Sequence, residues 1–113
     1  MLPADRVRLR HMLDAGKEAI AFLHGQQRSA LYKDRKLALA LVRSIEVIGE
    51  AATHVTQPCQ DTCPQIPWPE IVAMRNRLIH AYFDLDLDRV WDTVQEDLPP
   101  LVAQLENILS GQE

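Results

Sequence analysis

Apolar residues recur at helical spacing in four stretches of the chain, separated by polar or proline-rich segments. In residues 5–24 and 34–54 they fall every three or four positions, which is the spacing of one helix face. Residues 34–54 have near-heptad spacing and further apolar neighbours, so this stretch is predicted to be the central helix. The two stripes contain Leu9, Met12, Leu13, Ile20 and Leu23, and then Leu37, Leu41, Ile45, Ile48, Ala52 and Val55.

The second half of the chain contains two further predicted helices. Pro69 has the backbone angle suited to the first position of a helix, which is predicted over residues 69–80. The last helix has three aspartates as candidate N-caps: Asp84, Asp86 and Asp88. Residues 56–67 are a predicted loop, and residues 25–32 are predicted to be a loop or a short continuation of the first helix. The fold class is therefore all-α: an antiparallel four-helix bundle with its last helix kinked or split at Pro99 and Pro100.

Length and composition limit the organisation of the chain. With 113 residues, 47% of them hydrophobic, residues 1–113 are expected to form one domain with its own core. No segment approaches the ~20 apolar residues that span a bilayer, and no signal-like run opens the chain, so no membrane contact and a cytoplasmic location are expected. The net charge of −4 and the pI near 5.5 argue against general nucleic-acid affinity. Any contact with a nucleic acid must be local.

Two cysteines, Cys59 and Cys63, follow His54 in a segment rich in proline. This pattern allows a metal site or a disulfide. A structural zinc requires four ligands, however, so reduced thiols in a loop are expected and no metal ligand is assigned.

Arg75 projects from the middle of the apolar arc of the third helix. A guanidinium does not lose its proton, so burying it is costly unless a carboxylate or phosphate meets it. Glu46 and Glu50, one turn apart on the central helix, are the candidate supporting carboxylates. Such a pair can also serve acid–base chemistry, but the role of counter-charge to Arg75 is preferred. Gly49 between them predicts close helix packing.

His80 lies about 140° around the helix from Arg75, on the side of Asn76. The two therefore converge on one substrate only if the helix end frays or a second subunit contributes. Structural alternatives stay open, because a histidine in the last turn is commonly a helix cap. Tyr82 and Phe83 fit equally with ordinary core aromatics.

The stretch RNRLIHAY at residues 75–82 resembles the signature of the HEPN superfamily, in particular that of HepT-like toxins of two-gene toxin–antitoxin systems. The similarity extends over nearly the full chain. It includes IGEA at residues 48–51, IPW at residues 66–68 and DLPPL at residues 97–101.

This resemblance implies a small helical ribonuclease that needs neither a metal nor another cofactor and acts as a homodimer or a higher oligomer. It implies catalytic roles for Arg75, Asn76 and His80 on an RNA substrate. It further implies a type II or type VII-like system in which a cognate minimal nucleotidyltransferase antitoxin silences the toxin by AMPylation of Tyr82. A catalytically inactive HEPN interaction module is the alternative. The nucleotidyltransferase itself is not expected here, because the chain lacks a Gly-Ser turn followed by paired aspartates.

Overall fold

The computed structural model describes residues 1–80 and 85–111, and the side chains of Ile79 and His80 are outside this description. All the regular secondary structure of the described residues is helical, and they contain no strand. Its helices are α1 (Pro3–Leu23), α2 (Ala30–Lys33), α3 (Arg35–His54), α4 (Gln57–Thr62), α5 (Trp68–His80), α6 (Leu87–Asp92), a π-helical turn (Thr93–Asp97) and α7 (Leu98–Ser110).

Four helical columns form the bundle: α1, α3, α5 and the continuous column from α6 to α7. The two longest, α1 and α3, pack along each other, while α5 packs on α3 and α7 packs on α1. The core between them is apolar and includes Leu9, Met12, Leu41, Ile45, Ile48 and Leu105, each with at most 1% of its surface exposed. This confirms the all-α bundle predicted from the hydrophobic pattern.

The predicted helix starts agree with specific backbone contacts. The side chain of Asp34 accepts a hydrogen bond from the Leu37 N–H at 3.2 Å, which caps the N-terminus of α3. Asp86 caps α6 in the same way by accepting from the Arg89 N–H at 3.0 Å. Asp88 lies in the first turn of α6, and Asp84 is outside the described residues.

The last column is joined from pieces, as predicted, but its irregular turn precedes the prolines. The π-helical turn ends at Asp97, where the Leu98 N–H donates to the Thr93 carbonyl. Pro99 and Pro100 then lie in the first turn of α7. A proline lacks the N–H donor, and the first turn of a helix is where that donor has no helical partner.

Two short helices lie in the connections between the columns. Residues 56–67 contain α4, so the loop predicted there was wrong in part, and residues 25–32, predicted as a loop or a short continuation, lead into α2. Pro58 does not break α4 because it lies within the first two positions of the helix. Among the described residues, no helix combines the length and apolar character that crossing a bilayer requires.

Candidate functional site

Arg75 lies where α5 crosses α3. A Cβ atom added to Gly49 of α3 would overlap the Cβ and Cγ atoms of Arg75, so only a glycine permits this approach. The close packing predicted at Gly49 is therefore confirmed. The aliphatic stem of Arg75 rests on the α3 backbone, while 23% of its side chain stays exposed.

The Arg75 guanidinium is held by two side chains. Its Nη2 atom donates to Oε2 of Glu50, the residue after Gly49, and its Nη1 atom donates to Oδ1 of Asn76 at 2.7 Å. Of the two candidate carboxylates, the structure thus brings Glu50 to Arg75. Glu46 instead lies 3.6 Å from Nη1 of Arg43 on its own helix. These bonds use two of the five N–H donors of the guanidinium.

Glu50 connects Arg75 to a histidine that sequence reasoning did not connect with the site. The Nε2 atom of His54 lies 3.0 Å from Oε1 of Glu50. The hydrogen bond from His54 and the bond and charge of Arg75 together hold the pKa of Glu50 below its usual value, against a smaller opposing effect of burial. The spacing of four residues between Glu50 and His54 on α3 is the signal that could have revealed this contact.

One of the remaining predicted site residues lies within α5, and the others lie at or beyond its end. Asn76 is exposed on the surface of α5. His80 is the last residue of the helix, but its side chain is outside the described residues. Tyr82, the predicted acceptor of AMP, and Phe83 are also outside them. The convergence of His80 and Tyr82 with Arg75 therefore stays a prediction.

The two cysteines have a different environment from that of Arg75, Glu50 and His54. Cys59 lies in α4 and not in a loop, whereas Cys63 follows the last residue of α4; both are buried free thiols. Burial raises the pKa of Cys59 to about 11. Residues 1–80 and 85–111 contain no group of three or more His, Cys, Asp or Glu side chains arranged to hold a metal ion.

The arrangement at the crossing can bind an anion. A planar guanidinium, fixed by one carboxylate and one amide, presents further N–H donors beside the exposed face of α5. Guanidinium groups match the oxygens of phosphates in geometry and charge. The fold and this cluster are those expected of a helical-bundle protein with a site for phosphates.

Comparison with known proteins identifies the family. The model of the family described as Ribonuclease HepT-like matches residues 12–108, so the chain belongs to the HepT-like ribonuclease family. This confirms the resemblance noted in the sequence. The family is thus one of ribonucleases.

Individual relatives agree with this assignment. The chain is similar to "Probable ribonuclease HepT" of Thermococcus cleftensis, with 37% identity over 95 residues that cover 80% of this chain and 86% of the relative. It is also similar to "Putative RNase TTE0752" of Caldanaerobacter subterraneus subsp. tengcongensis, with 33% identity over 99% of this chain and 100% of that protein. No solved structure matches the chain.

Proposed function

We propose that this chain is a metal-independent endoribonuclease and the toxin of a two-gene toxin–antitoxin system. The observation that carries the proposal is the guanidinium of Arg75, which Glu50 and Asn76 hold at the surface of α5. The chain that contains it belongs to the HepT-like ribonuclease family. Such a group can neutralise the charge that develops on a phosphate during cleavage.

The reaction is attack of a ribose 2′-hydroxyl on the adjacent phosphate, which releases the 5′-oxygen of the next nucleotide. His80 moves the proton, because an imidazole with an unperturbed pKa near 6.5 exchanges protons at neutral pH. Arg75 stabilises the additional negative charge on the phosphorane, and Asn76 orients the phosphate. No step of this chemistry requires a metal ion.

Glu50 and His54 have a supporting role in this proposal. The contact of Glu50 with Arg75 fixes the direction of the guanidinium, and the contact of Glu50 with His54 fixes the carboxylate in turn. A group that is held in place before the substrate arrives loses less conformational freedom on binding. Glu50 is thus a positioning residue and not a proton donor or acceptor.

The catalytic groups come from two subunits in the proposed site. Helical periodicity separates positions 75 and 80 by about 140° around α5, so in this proposal a second α5 across a two-fold axis supplies the missing partner. Mixing Arg75→Ala subunits with His80→Ala subunits tests this arrangement. A shared site regains up to about one quarter of the wild-type activity, since half of the dimers are mixed and each has one intact site. No regained activity in verified mixed dimers would place both groups in one subunit.

The partner is a cognate minimal nucleotidyltransferase that transfers AMP from ATP to the hydroxyl of Tyr82 and releases pyrophosphate. Tyr82 follows His80 by two positions, so an AMP group there adds a phosphate beside Arg75 and competes with RNA for the same donors. The antitoxin therefore silences the toxin by placing a substitute phosphate in the site.

Cleavage of a labelled oligoribonucleotide in the presence of EDTA tests the proposed reaction. The wild type should cleave it, and Arg75→Ala and His80→Ala should each lose at least about 100-fold in kcat/KM. Arg10→Ala, at an exposed position of α1, is the matched control and should keep full activity. Loss of wild-type cleavage in EDTA that added metal restores would contradict metal independence.

The alternative is an inactive interaction module in which the contacts of Arg75 are structural. One observation favours it: the guanidinium is already paired with Glu50, as a structural ion pair would be. Under this alternative the purified wild type cleaves no RNA, and Arg75→Ala changes stability alone.

A further inference from the structure

A cleft separates α5 from the column formed by α6, the π-helical turn and α7. At the α6 end of this cleft lies a cavity of about 440 Å³. Its apolar wall includes Met74, Leu78, Leu85 and Val90. Its polar side chains are Asn76, Arg77, Asp86 and Arg89. This volume and this mixture of surfaces are typical of small-molecule sites in proteins.

The cavity adjoins the candidate catalytic cluster through Asn76. The Oδ1 atom of Asn76 accepts from Nη1 of Arg75 at 2.7 Å, and the same side chain lines the cavity. A phosphate bound at Arg75 would therefore have its neighbouring nucleotide within reach of this cavity.

Two arginines at the cavity form no ion pair with the residues that the structure describes. Arg28, Arg43 and Arg75 each form an ion pair with a carboxylate. Within residues 1–80 and 85–111, no ion pair involves Arg77 or Arg89, although both line the cavity. Asp86 is the acid among the lining residues of this cavity, and its Oδ1 atom already accepts from the Arg89 backbone N–H. In a chain of net charge −4, this is a local positive site.

We infer that this cavity is a subsite for one nucleotide of the RNA substrate, next to the phosphate that is cleaved. The flat face of the base packs on the apolar wall, and Arg77 and Arg89 bind its phosphate. Guanidinium groups bind phosphate oxygens through charge-assisted hydrogen bonds, and dispersion contacts favour any base face. The inference rests on the proposed function, because it assigns the substrate contacts of that same site.

Binding of adenosine 5′-monophosphate to the His80→Ala chain tests the subsite without cleavage. The chain is produced without a nucleotidyltransferase and confirmed as unmodified by intact mass, so that no attached AMP fills the cavity. In ¹H–¹⁵N spectra, the nucleotide should shift the signals of Met74, Leu78 and Val90. Arg77→Gln and Arg89→Gln should each raise the Kd about tenfold, the effect of losing one charge-assisted contact. Arg10→Gln removes the same charge from α1 and should leave the Kd unchanged.

Steady-state cleavage provides the second measurement. In the otherwise wild-type chain, Arg77→Gln and Arg89→Gln should raise the KM for an oligoribonucleotide about tenfold and change kcat less than twofold. Unchanged Kd and KM in both variants would overturn the subsite while leaving the proposed ribonuclease intact. A different result would separate the two ideas. If the wild type cleaves no RNA but the nucleotide still binds and depends on the two arginines, the proposed function is contradicted and the cavity remains a nucleotide-binding site.

Discussion

The carboxylate of Asp5, near the start of α1, caps the helix that begins after Thr56. Its Oδ1 atom accepts from the Thr56 backbone N–H at 2.8 Å, and its Oδ2 atom accepts from the Thr56 hydroxyl at 2.7 Å. Asp5 is 2% exposed, so both bonds are shielded from water. A residue 51 positions earlier therefore satisfies a backbone donor at the start of α4, a group that helices leave without an internal partner.

The first prediction concerns this contact. Asp5→Ala should lower the free energy of unfolding by about 2 to 3 kcal/mol, because it leaves the N–H and hydroxyl of Thr56 without their acceptor. Urea denaturation followed by circular dichroism measures the loss. Asp14→Ala, at an exposed position of the same helix, is the matched control and should change the value by less than about 0.5 kcal/mol.

The second prediction concerns the crossing of α3 and α5. Gly49→Ala should destabilise the chain by about 1 to 3 kcal/mol and lower RNA cleavage, because the new Cβ displaces Arg75 from Glu50. Thermal unfolding and the cleavage assay report the two effects. Gly111→Ala is the control, since a Cβ there meets its nearest atom at 3.4 Å. A Gly49→Ala chain with unchanged stability and cleavage would show that the helices separate at no cost.

The third prediction is a pH dependence of stability at Glu50. In the folded chain, the contacts with His54 and Arg75 lower the pKa of Glu50 from its ordinary value of 4.5. A group whose pKa is lowered on folding stabilises the folded state above the unfolded-state pKa, and this contribution is lost as the pH falls through the folded-state pKa.

The Tm difference between wild type and Glu50→Gln should accordingly be constant above about pH 5.5 and shrink as the pH falls below about 4.5. Differential scanning calorimetry across this range measures it. Glu18→Gln is the matched control, because Glu18 is exposed on α1 and forms no ion pair with the residues that the structure describes. A difference that stays constant down to pH 3 would mean that the Glu50 charge does not contribute to folding.

The fourth prediction concerns the buried thiol of Cys59. With its pKa raised to about 11, about one thiol in a thousand is ionised at pH 8. A Cys63→Ala chain should therefore react with a disulfide reagent at least about 100-fold more slowly when folded than in urea, as followed by absorbance. Equal rates in the two states would show that Cys59 is accessible in the folded chain.

The fifth prediction concerns the proposed modification. Tyr82→Phe removes the hydroxyl alone, and a phenol with a pKa near 10 contributes little acid–base catalysis at neutral pH. The variant should keep RNA cleavage but escape silencing by the partner nucleotidyltransferase and ATP. Intact mass should show AMP additions on the wild type and none on the variant. Tyr32→Phe, at an exposed position of α2, is the control. AMP on the Tyr82→Phe chain would place the modification elsewhere.

The helices were predictable from sequence where apolar periodicity extends over several turns. The stretch 34–54 has a cap at Asp34 and an uninterrupted stripe, and the observed α3 agrees with it to within one residue. Helices of four and six residues, such as α2 and α4, are too short to show a period. The π-helical turn could not be predicted either, because it depends on the fit of α6 and α7 to the core.

Part of the candidate site was predictable from the sequence, and the rest depends on how the helices pack. The need of Arg75 for a carboxylate follows from its charge, but Glu46 and Glu50 differ by one helical turn and are equivalent in the sequence. The choice between them depends on where α5 crosses α3, which Gly49 fixes in three dimensions. His54 contacts the site through Glu50, so its role depends on Glu50 being the partner of Arg75.

The π-helical turn at Thr93–Asp97 accommodates one residue more than a regular α-helix would hold between α6 and α7. In a straight α-helix, the eight positions from Val90 to Leu98 would leave the two side chains about 80° apart. A π turn holds about one residue more than an α turn, which removes this offset, and both side chains are 1% exposed. Deleting one residue here would leave seven positions between the two side chains, which is within about 20° of two full turns, so a regular α-helix would keep the stripe of α7 in the core. We expect evolution to tolerate a one-residue deletion in this turn far better than a one-residue insertion.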